Sequence, residues 1–178
     1  MQAARGTTLS RGIAALPGIR RAAVGLALVG LALDQLTKTL VLEHLEPGVP
    51  VDVIGSLVRF TLIRNPGAAF GLGSGSTLVL SVFAILALLA SIVVGLPRIT
   101  RLSHGVALGL LMAGISGNLF DRLFREPAPM LGHVIDFIQL PYFAIFNVAD
   151  ICVTSAAALV VLLGFSHEPA QDSEGVAA

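Results

Sequence analysis

The sequence is short of charged residues, of cysteine and of any charge imbalance. Only 12% of its 178 residues are charged and 55% are hydrophobic, whereas soluble domains carry about 25% charged residues. The formal net charge is zero, which argues against binding of nucleic acid. The single cysteine, Cys152, cannot form an internal disulfide, and we interpret it as a small apolar packing residue. The low charge and a mean hydropathy of +0.89 indicate a membrane protein.

Further absences narrow the chemistry. No group of histidine, cysteine and carboxylate residues has the spacing of a metal site, so we expect no metal and no other cofactor. The sequence has no nucleophile elbow and no Ser-His-Asp pattern, which argues against a serine hydrolase. It also has no visible internal repeat of the kind that builds many transporters from two related halves.

Four apolar stretches are each close to the roughly 20 residues that cross a bilayer as a helix. They are residues 22–42, 77–96, 104–123 and 143–165. We therefore predict an all-α membrane protein, with residues 1–178 as a single domain of four transmembrane helices. The tails 1–18 and 166–178 are polar or rich in small residues, and we expect both to be disordered.

Basic residues set the predicted orientation of the four spans. Four arginines precede the first span, and two more lie in the short connection between the second and third spans: Arg5, Arg11, Arg20, Arg21, Arg98 and Arg101. The positive-inside rule places both of these segments in the cytoplasm. Both termini are then predicted to be cytoplasmic, and the loops 43–76 and 124–142 are predicted to face outward.

The first outer loop carries the signal of a β-hairpin. Residues 51–54 and 57–64 are rich in β-branched side chains, and a Gly-Ser pair separates them. Asn65-Pro66-Gly67 then predicts a turn. The second outer loop contains three prolines, which exclude one long helix, and we place its apolar segment 132–138 at the membrane surface. A small extracytoplasmic β element is therefore predicted above the helices.

Ionisable residues within the apolar spans are the most informative feature of the chain. A carboxylate at the centre of a membrane helix costs about 2.5–3.5 kcal/mol on insertion scales. Asp34 and Lys38 are spaced i,i+4 with the acid first, so we predict a neutralised structural pair. Asp150 lies about seven residues, or roughly 10 Å, below the predicted outer end of the fourth span.

The third and fourth spans continue this polar pattern. Asn118, Asp121 and Arg122 share one helical face, and we interpret Asp121 and Arg122 as a second neutralised pair. Asn147 and Asp150 are spaced i,i+3, again on one face. These groups gather toward the outer ends of their spans, which predicts a polar pocket that opens outward beneath the β element.

Asp136 and Asp150 are the two acids in this group without a basic residue nearby in sequence. Two such carboxylates that converge on one pocket are typical of an acid–base pair. Spacing alone leaves the alternative, accidental proximity, equally open. Asn118 is expected to hydrogen-bond neighbouring helices, and His133 to lie at the surface.

Five motifs then occur in an order that resembles a known family. They are Asp34-Gln35-Leu36-Thr37-Lys38, Asn65-Pro66-Gly67-Ala68-Ala69-Phe70-Gly71, Gly117-Asn118-Leu119-Phe120-Asp121-Arg122, Gly132-His133-Val134-Ile135-Asp136-Phe137 and Phe146-Asn147-Val148-Ala149-Asp150. Over residues 34–150 the chain resembles lipoprotein signal peptidase, also called signal peptidase II. Each motif alone is weak, but five in order across four spans are a specific signal.

The resemblance implies a multi-pass aspartic endopeptidase of the bacterial cytoplasmic membrane, with its active site near the outer leaflet. It implies cleavage of the signal peptide from prolipoproteins, just before a cysteine that carries diacylglycerol. It also implies that Asp136 and Asp150 are the catalytic pair, a choice over Asp121 that spacing could not make. The other motif residues would then support the pocket or bind substrate: Asp34, Lys38, Asn65, Gly67, Asn118, Asp121, Arg122 and Asn147.

The partners expected on this interpretation are diacylglyceryl-modified prolipoproteins and membrane lipids, without nucleic acid, and the protein is expected to be a monomer. Two segments depart from the family pattern. The stretch between Arg122 and Gly132 is longer than usual, and the stretch between Asp136 and Phe146 is shorter. Both lie in the outer loop, so they bear on its local shape and on lipoprotein preference more than on the chemistry.

Two other functions remain alternatives at this point. Intramembrane acids also build proton relays, which would make the chain a small proton-coupled transporter. The gathering of charges in one leaflet and the lack of a repeat argue against it. A non-catalytic membrane assembly factor, in which the polar groups only join helices, is the third interpretation.

Overall fold

The computed structural model describes residues 11–67 and 76–165, with side chains from Pro17 onward. Its elements follow one another along the chain as helix α1 (Arg11–His44), strands β1 (Val51–Ile54) and β2 (Val58–Asn65), helices α2 (Thr77–Arg98) and α3 (Leu102–Phe124), strand β3 (Val134–Gln139) and helix α4 (Val148–Phe165). Helix α2 includes one π-helical turn, in which the N–H of Leu96 donates to the carbonyl of Ser91.

In the part of the chain that the structure describes, four helices are long and apolar enough to cross a membrane, which is the number of spans predicted. The first three of these helices have longer membrane-spanning segments than the sequence predicted: Pro17–His44, Thr77–Arg98 and Leu102–Phe124. Large apolar side chains on their outer surfaces are exposed, Phe83 and Val93 among them. Such a surface suits contact with lipid, where no water is available to make apolar exposure costly.

The predicted start of the fourth span at residue 143 is wrong, because α4 begins at Val148. The backbone of Phe146 is instead bonded to Ile138 of β3, with N–H···O distances of 3.1 and 2.8 Å. These bonds hold the chain extended until the helix begins. Asp150 therefore lies in the first turn of α4, and not seven residues inside the span as predicted.

The prediction of a disordered N-terminal tail is wrong in part. Helix α1 already begins at Arg11, so the predicted tail 1–18 is helical in its second half. Alanine, leucine and isoleucine at positions 13–16 favour continuation of the helix. Residues 1–10, the tail 166–178 and residues 68–71 of the second motif lie outside the described residues.

The predicted hairpin is confirmed, and a third strand joins it from the segment between α3 and α4. The sheet is antiparallel with the order β1-β2-β3, and Ile63 of β2 is paired with Asp136 of β3. On β3, Ile135 and Phe137 are buried in a small core with Val41 of α1. Because side chains alternate along a strand, Asp136 points away from that core.

Helix α3 lies at the centre of the helical layer and packs against the other three helices. Its contact with α1 is close because α1 has a glycine at the crossing. A methyl group at Gly30 would lie 2.6 Å from the Cβ of Ala113 on α3, well inside van der Waals contact. A methyl group at Gly25, five residues earlier on α1, would have no neighbouring atom within 4 Å.

We expect Gly30→Ala to lower the thermal unfolding temperature in detergent micelles and Gly25→Ala to maintain or raise it. Both changes gain up to about 1 kcal/mol of helix propensity, but at Gly30 the Cβ of Ala113 cannot move without its backbone. Comparison of the two variants separates the effect of helix packing on the unfolding temperature from the effect of helix propensity. Equal unfolding temperatures for the two variants would contradict the close approach of α1 and α3.

Candidate active site

A buried lysine joins three helices and the sheet. Lys38 is the only lysine in the sequence, and its side chain is fully buried. Its Nζ lies 2.8 Å from Asp34 Oδ2, 2.7 Å from Asp121 Oδ2 and 3.0 Å from Asn118 Oδ1. Three acceptors match the three N–H donors of an ammonium group. The predicted Asp34–Lys38 pair is confirmed, and Asp121 is its second carboxylate.

The two carboxylates that bind Lys38 extend the connection to the other elements. Asp34 Oδ1 accepts a hydrogen bond from the backbone N–H of Ala149 at 2.9 Å, in the first turn of α4, where backbone N–H groups have no partner within the helix. Asp121 Oδ2 accepts one from the backbone N–H of Ile135 at 3.2 Å. Asp34 thus positions the start of α4, and Asp121 positions strand β3.

The predicted pairing of Asp121 with Arg122 is wrong. The second cation at Asp121 is Arg125, whose Nε lies 2.5 Å from Oδ1. Consecutive residues on a helix point about 100° apart, whereas residues spaced i,i+4 are neighbours. The same spacing rule that identified Asp34 and Lys38 could have identified Asp121 and Arg125. Gln35 belongs to the same hydrogen-bond network, since it donates to Asp34 Oδ2 at 3.1 Å, and the spacing of charged residues gave no signal for it.

Asp150 is held in place by a reciprocal cap at the start of α4. Asn147 Oδ1 accepts from the backbone N–H of Asp150 at 3.0 Å. The carboxylate of Asp150 in return accepts from the backbone N–H of Asn147 at 3.1 Å. This is the arrangement of a capping box, with the acid three residues after the cap. The other carboxylate oxygen accepts from Asn118 Nδ2 at 2.8 Å.

Asp136 approaches from β3 and is held by two amides. Its Oδ1 accepts from Asn147 Nδ2 at 2.7 Å, and its Oδ2 accepts from Asn65 Nδ2 at 2.8 Å. Asn147 therefore bonds to both acids, through its side-chain amide to Asp136 and through its cap to Asp150. Within the described residues, neither acid forms a salt bridge, in contrast to Asp34 and Asp121.

The environment of Asp136 favours its protonated form. Burial is the main reason why the pKa of Asp136 rises from 3.8 to about 6, since a low-dielectric surrounding penalises the charge. The negative charge of Asp150 raises this pKa further, and the hydrogen bonds from Asn65 and Asn147 act in the opposite direction. A carboxyl group with such a pKa can both donate and accept a proton near neutral pH.

Both acids line one cavity of about 690 Å³. Asn65, Asn118 and Arg122 also line its polar end. Arg122 donates to the carbonyl of Gly67 at 3.2 Å, and its Nε is buried without a hydrogen-bond partner in the described residues. The other wall is apolar and comes mainly from α2, α3 and α4, with Leu80, Phe83, Leu111, Ile115 and Val153 among its residues.

The structure brings all ten residues of the predicted site into one connected region. Gly67 belongs to it through two backbone bonds, since its N–H donates to Asn65 Oδ1 at 2.9 Å and its carbonyl accepts from Arg122. In residues 11–67 and 76–165, no cluster of three or more histidine, cysteine or acidic residues is placed to hold a metal ion. The arrangement can position a peptide group against two carboxyls, one of which is readily protonated.

The chain matches the model of one protein family, described as signal peptidase (SPase) II, over residues 26–166. It is 43% identical to the lipoprotein signal peptidase of Leifsonia xyli subsp. xyli over 162 residues, which are 86% of this chain and 74% of the relative. It is 42% identical to the lipoprotein signal peptidase of Mycobacterium avium over 147 residues, 80% of this chain and 78% of the relative.

Two solved structures share the fold. One, described as a bacterial membrane enzyme at 2.3 Å resolution, superposes with a TM-score of 0.76 and 28% identity, and covers 88% of this chain and 94% of its own. Another, described as a bacterial membrane enzyme at 1.9 Å resolution, gives a TM-score of 0.72 and 29% identity, with 83% and 94% coverage. The overall fold is therefore shared with solved structures of bacterial membrane enzymes.

We expect Lys38→Met to lower the free energy of unfolding by about 3–5 kcal/mol, because it leaves two buried carboxylates without their shared cation. Adding Asp34→Asn should recover part of this loss, since Asp121 retains Arg125. Chemical denaturation in micelles gives the measurement, with Arg21→Met at an exposed position as control. A Lys38→Met protein as stable as wild type would contradict a central role for this cation.

We also expect Asp150→Asn to lower the pKa of Asp136 while leaving it above 3.8, because the charge of Asp150 is removed but burial remains. The pKa is measured by ¹³C NMR of aspartate carboxyl groups in micelles, with Asp136→Asn used to assign the signal. An unchanged pKa would show that the two carboxyls do not interact.

Proposed function

Because the chain belongs to the signal peptidase II family, we propose that it is an aspartic endopeptidase that removes the signal peptide from prolipoproteins. Its substrate carries a diacylglyceryl group on a cysteine, and the bond cleaved is the one before that cysteine. The observation that carries this proposal is the shared cavity of Asp136 and Asp150, where one asparagine bonds to both acids.

Asp136 and Asp150 are the proposed catalytic residues. Two neighbouring carboxyls do not both ionise easily, so the resting pair holds one proton. The raised pKa of Asp136 supports placing that proton on Asp136. Asp150 then acts as the ionised base. Asp34 and Asp121 are unsuited to this task, since both are bound to cations.

The proposed reaction uses a water molecule as nucleophile. Asp150 accepts a proton from water while the oxygen attacks the scissile carbonyl, and Asp136 donates its proton to the carbonyl oxygen. The tetrahedral intermediate then collapses, the C–N bond breaks, and the proton held by Asp150 passes to the leaving amine. The hydroxyl of the intermediate returns its proton to Asp136, which restores the pair.

The remaining site residues have supporting roles in this proposal. Asn118 and Asn147 orient the two carboxyls through the bonds described above. Arg122 has a buried Nε without a described partner, so it is suited to bind a substrate carbonyl or ester oxygen. Asn65 lies at the same end of the cavity and would contact the same part of the substrate. Lys38 and Asp34 act indirectly, by positioning Asn118 and the start of α4.

The position of the site along the helices fits a lipid-anchored substrate. Asp150 is in the first turn of α4, so it lies at one surface of the bilayer. Arg20 donates to the carbonyl of Pro97 at the other end of the bundle. Arginines favour the cytoplasmic side, which supports cytoplasmic termini and an active site near the outer leaflet of a bacterial cytoplasmic membrane. Proton transport is not supported.

We expect Asp136→Asn and Asp150→Asn each to reduce cleavage of a diacylated prolipoprotein by about 10²–10⁴-fold or more. Asparagine is nearly isosteric but can neither accept nor donate the proton as a carboxyl does. The measurement is release of signal peptide by purified protein in micelles, with circular dichroism to verify folding. Asp52→Asn, at an exposed position of β1, is the matched control and should retain full activity.

Near-normal turnover by either folded variant would refute the catalytic pair. Inactivity of wild-type protein toward diacylated substrate, together with activity toward the same peptide without lipid, would refute the proposed substrate class.

A further inference from the structure

The outer surface carries an apolar rim that the proposed chemistry leaves without a role. The tip of the β1–β2 hairpin and the turn after β3 contribute exposed large side chains, which we call the aromatic rim: Ile54, Leu57, Tyr142 and Phe143. A cavity of about 340 Å³ lies between these two segments and is lined by Ser56 and Arg59 on one side and by residues 140–143 on the other. Apolar groups this exposed favour contact with a partner or a membrane.

Tyr142 occupies a position that its own backbone disfavours. The N–H of Phe143 donates to the carbonyl of Leu140 at 3.3 Å, which closes a four-residue turn. Pro141 is the second residue of that turn, and Tyr142 is the third, with a φ of +60°. Glycine is favoured there, and another residue costs about 1–2 kcal/mol. The only tyrosine of the sequence is nevertheless there, fully exposed at 107%, so packing against the described part of the chain does not explain it.

The rim is continuous with the part of the chain that crosses the bilayer. Helix α4 has 18 described residues, or about 27 Å at 1.5 Å per residue, slightly less than a hydrocarbon core of about 30 Å. Tyr142 lies six residues before the start of the helix. The next residue, Phe143, packs its ring against that of Phe146, with 5.6 Å between the ring centroids, and this contact connects the turn to the segment just before the helix. The rim is therefore expected at the depth of the lipid headgroups.

We propose that the aromatic rim inserts into the headgroup region of the outer leaflet and holds the cavity of Asp136 and Asp150 at a fixed depth. Tyrosine is suited to this region because its ring is apolar and its hydroxyl is polar. Arg59, which lines the cavity between the two segments, is paired with Asp52, so its charge is neutralised when the rim inserts. Phe143 lines both cavities and connects the rim directly to the site.

The absence of tryptophan from the sequence allows a direct test of the rim's location. Tyr142→Trp introduces a single tryptophan into protein reconstituted in phosphatidylcholine vesicles, where brominated acyl chains quench its fluorescence. We expect stronger quenching from bromine near the carbonyl end of the chain than from bromine near its middle. Leu86→Trp, at an exposed position midway along α2, is the control and should show the reverse order.

Two outcomes would overturn this location. Quenching of Tyr142→Trp by aqueous acrylamide but not by either brominated lipid would place the rim in water. Protection from acrylamide and from both lipids would show that protein covers the rim, as in contact with a second copy of the chain.

The effect on depth rests on the proposed function and has its own test. Tyr142→Gly removes the ring but suits the turn, so we expect its unfolding temperature to be maintained. In vesicles its KM for a bilayer-embedded diacylated substrate should rise several-fold at unchanged kcat, and in detergent micelles, which have no leaflet depth, both constants should match wild type. Equal KM values in vesicles would overturn the depth role. If wild-type protein fails to cleave but the quenching order holds, only the proposed function fails.

Discussion

The Lys38 ammonium group is the interaction on which the rest of the site depends. It neutralises Asp34 and Asp121 at 2.8 and 2.7 Å, and each of these carboxylates also accepts a hydrogen bond from a backbone N–H of another element. One cation thus fixes α1, α3, α4 and β3 relative to one another. Buried charges are costly unless they are paired and hydrogen-bonded, and here every donor of the lysine is used.

The site is built from two types of acid with different surroundings. Asp34 and Asp121 are bound to cations and serve as connectors. Asp136 and Asp150 have only neutral amide and backbone donors within the described residues. Neutral donors position a carboxyl without removing its ability to exchange a proton, whereas a carboxylate in a buried salt bridge must stay ionised to keep its partner neutralised. Asn118 connects the two types, because it accepts from Lys38 and donates to Asp150.

Local spacing rules predicted part of this arrangement well. The pair of Asp34 and Lys38 follows from an i,i+4 spacing on one helix, and the hairpin follows from β-branched residues around a turn. The same rule fits Asp121 and Arg125, whereas the predicted partner, Arg122, is adjacent in sequence but points to a different side of the helix. The predicted depth of Asp150 was also wrong, because backbone bonds between Phe146 and Ile138 on β3 set the start of α4.

The sequence alone determined the class of the protein, the number of its spans and the residues that form its polar region. Hydrophobicity over about 20 residues and helical spacing are local properties, and they can be counted along a chain. Only the tertiary structure decided that Lys38 also binds Asp121 and that Asp136 and Asp150 share Asn147. Those contacts join different helices and a strand, and their geometry follows from how the elements pack, which no local pattern encodes.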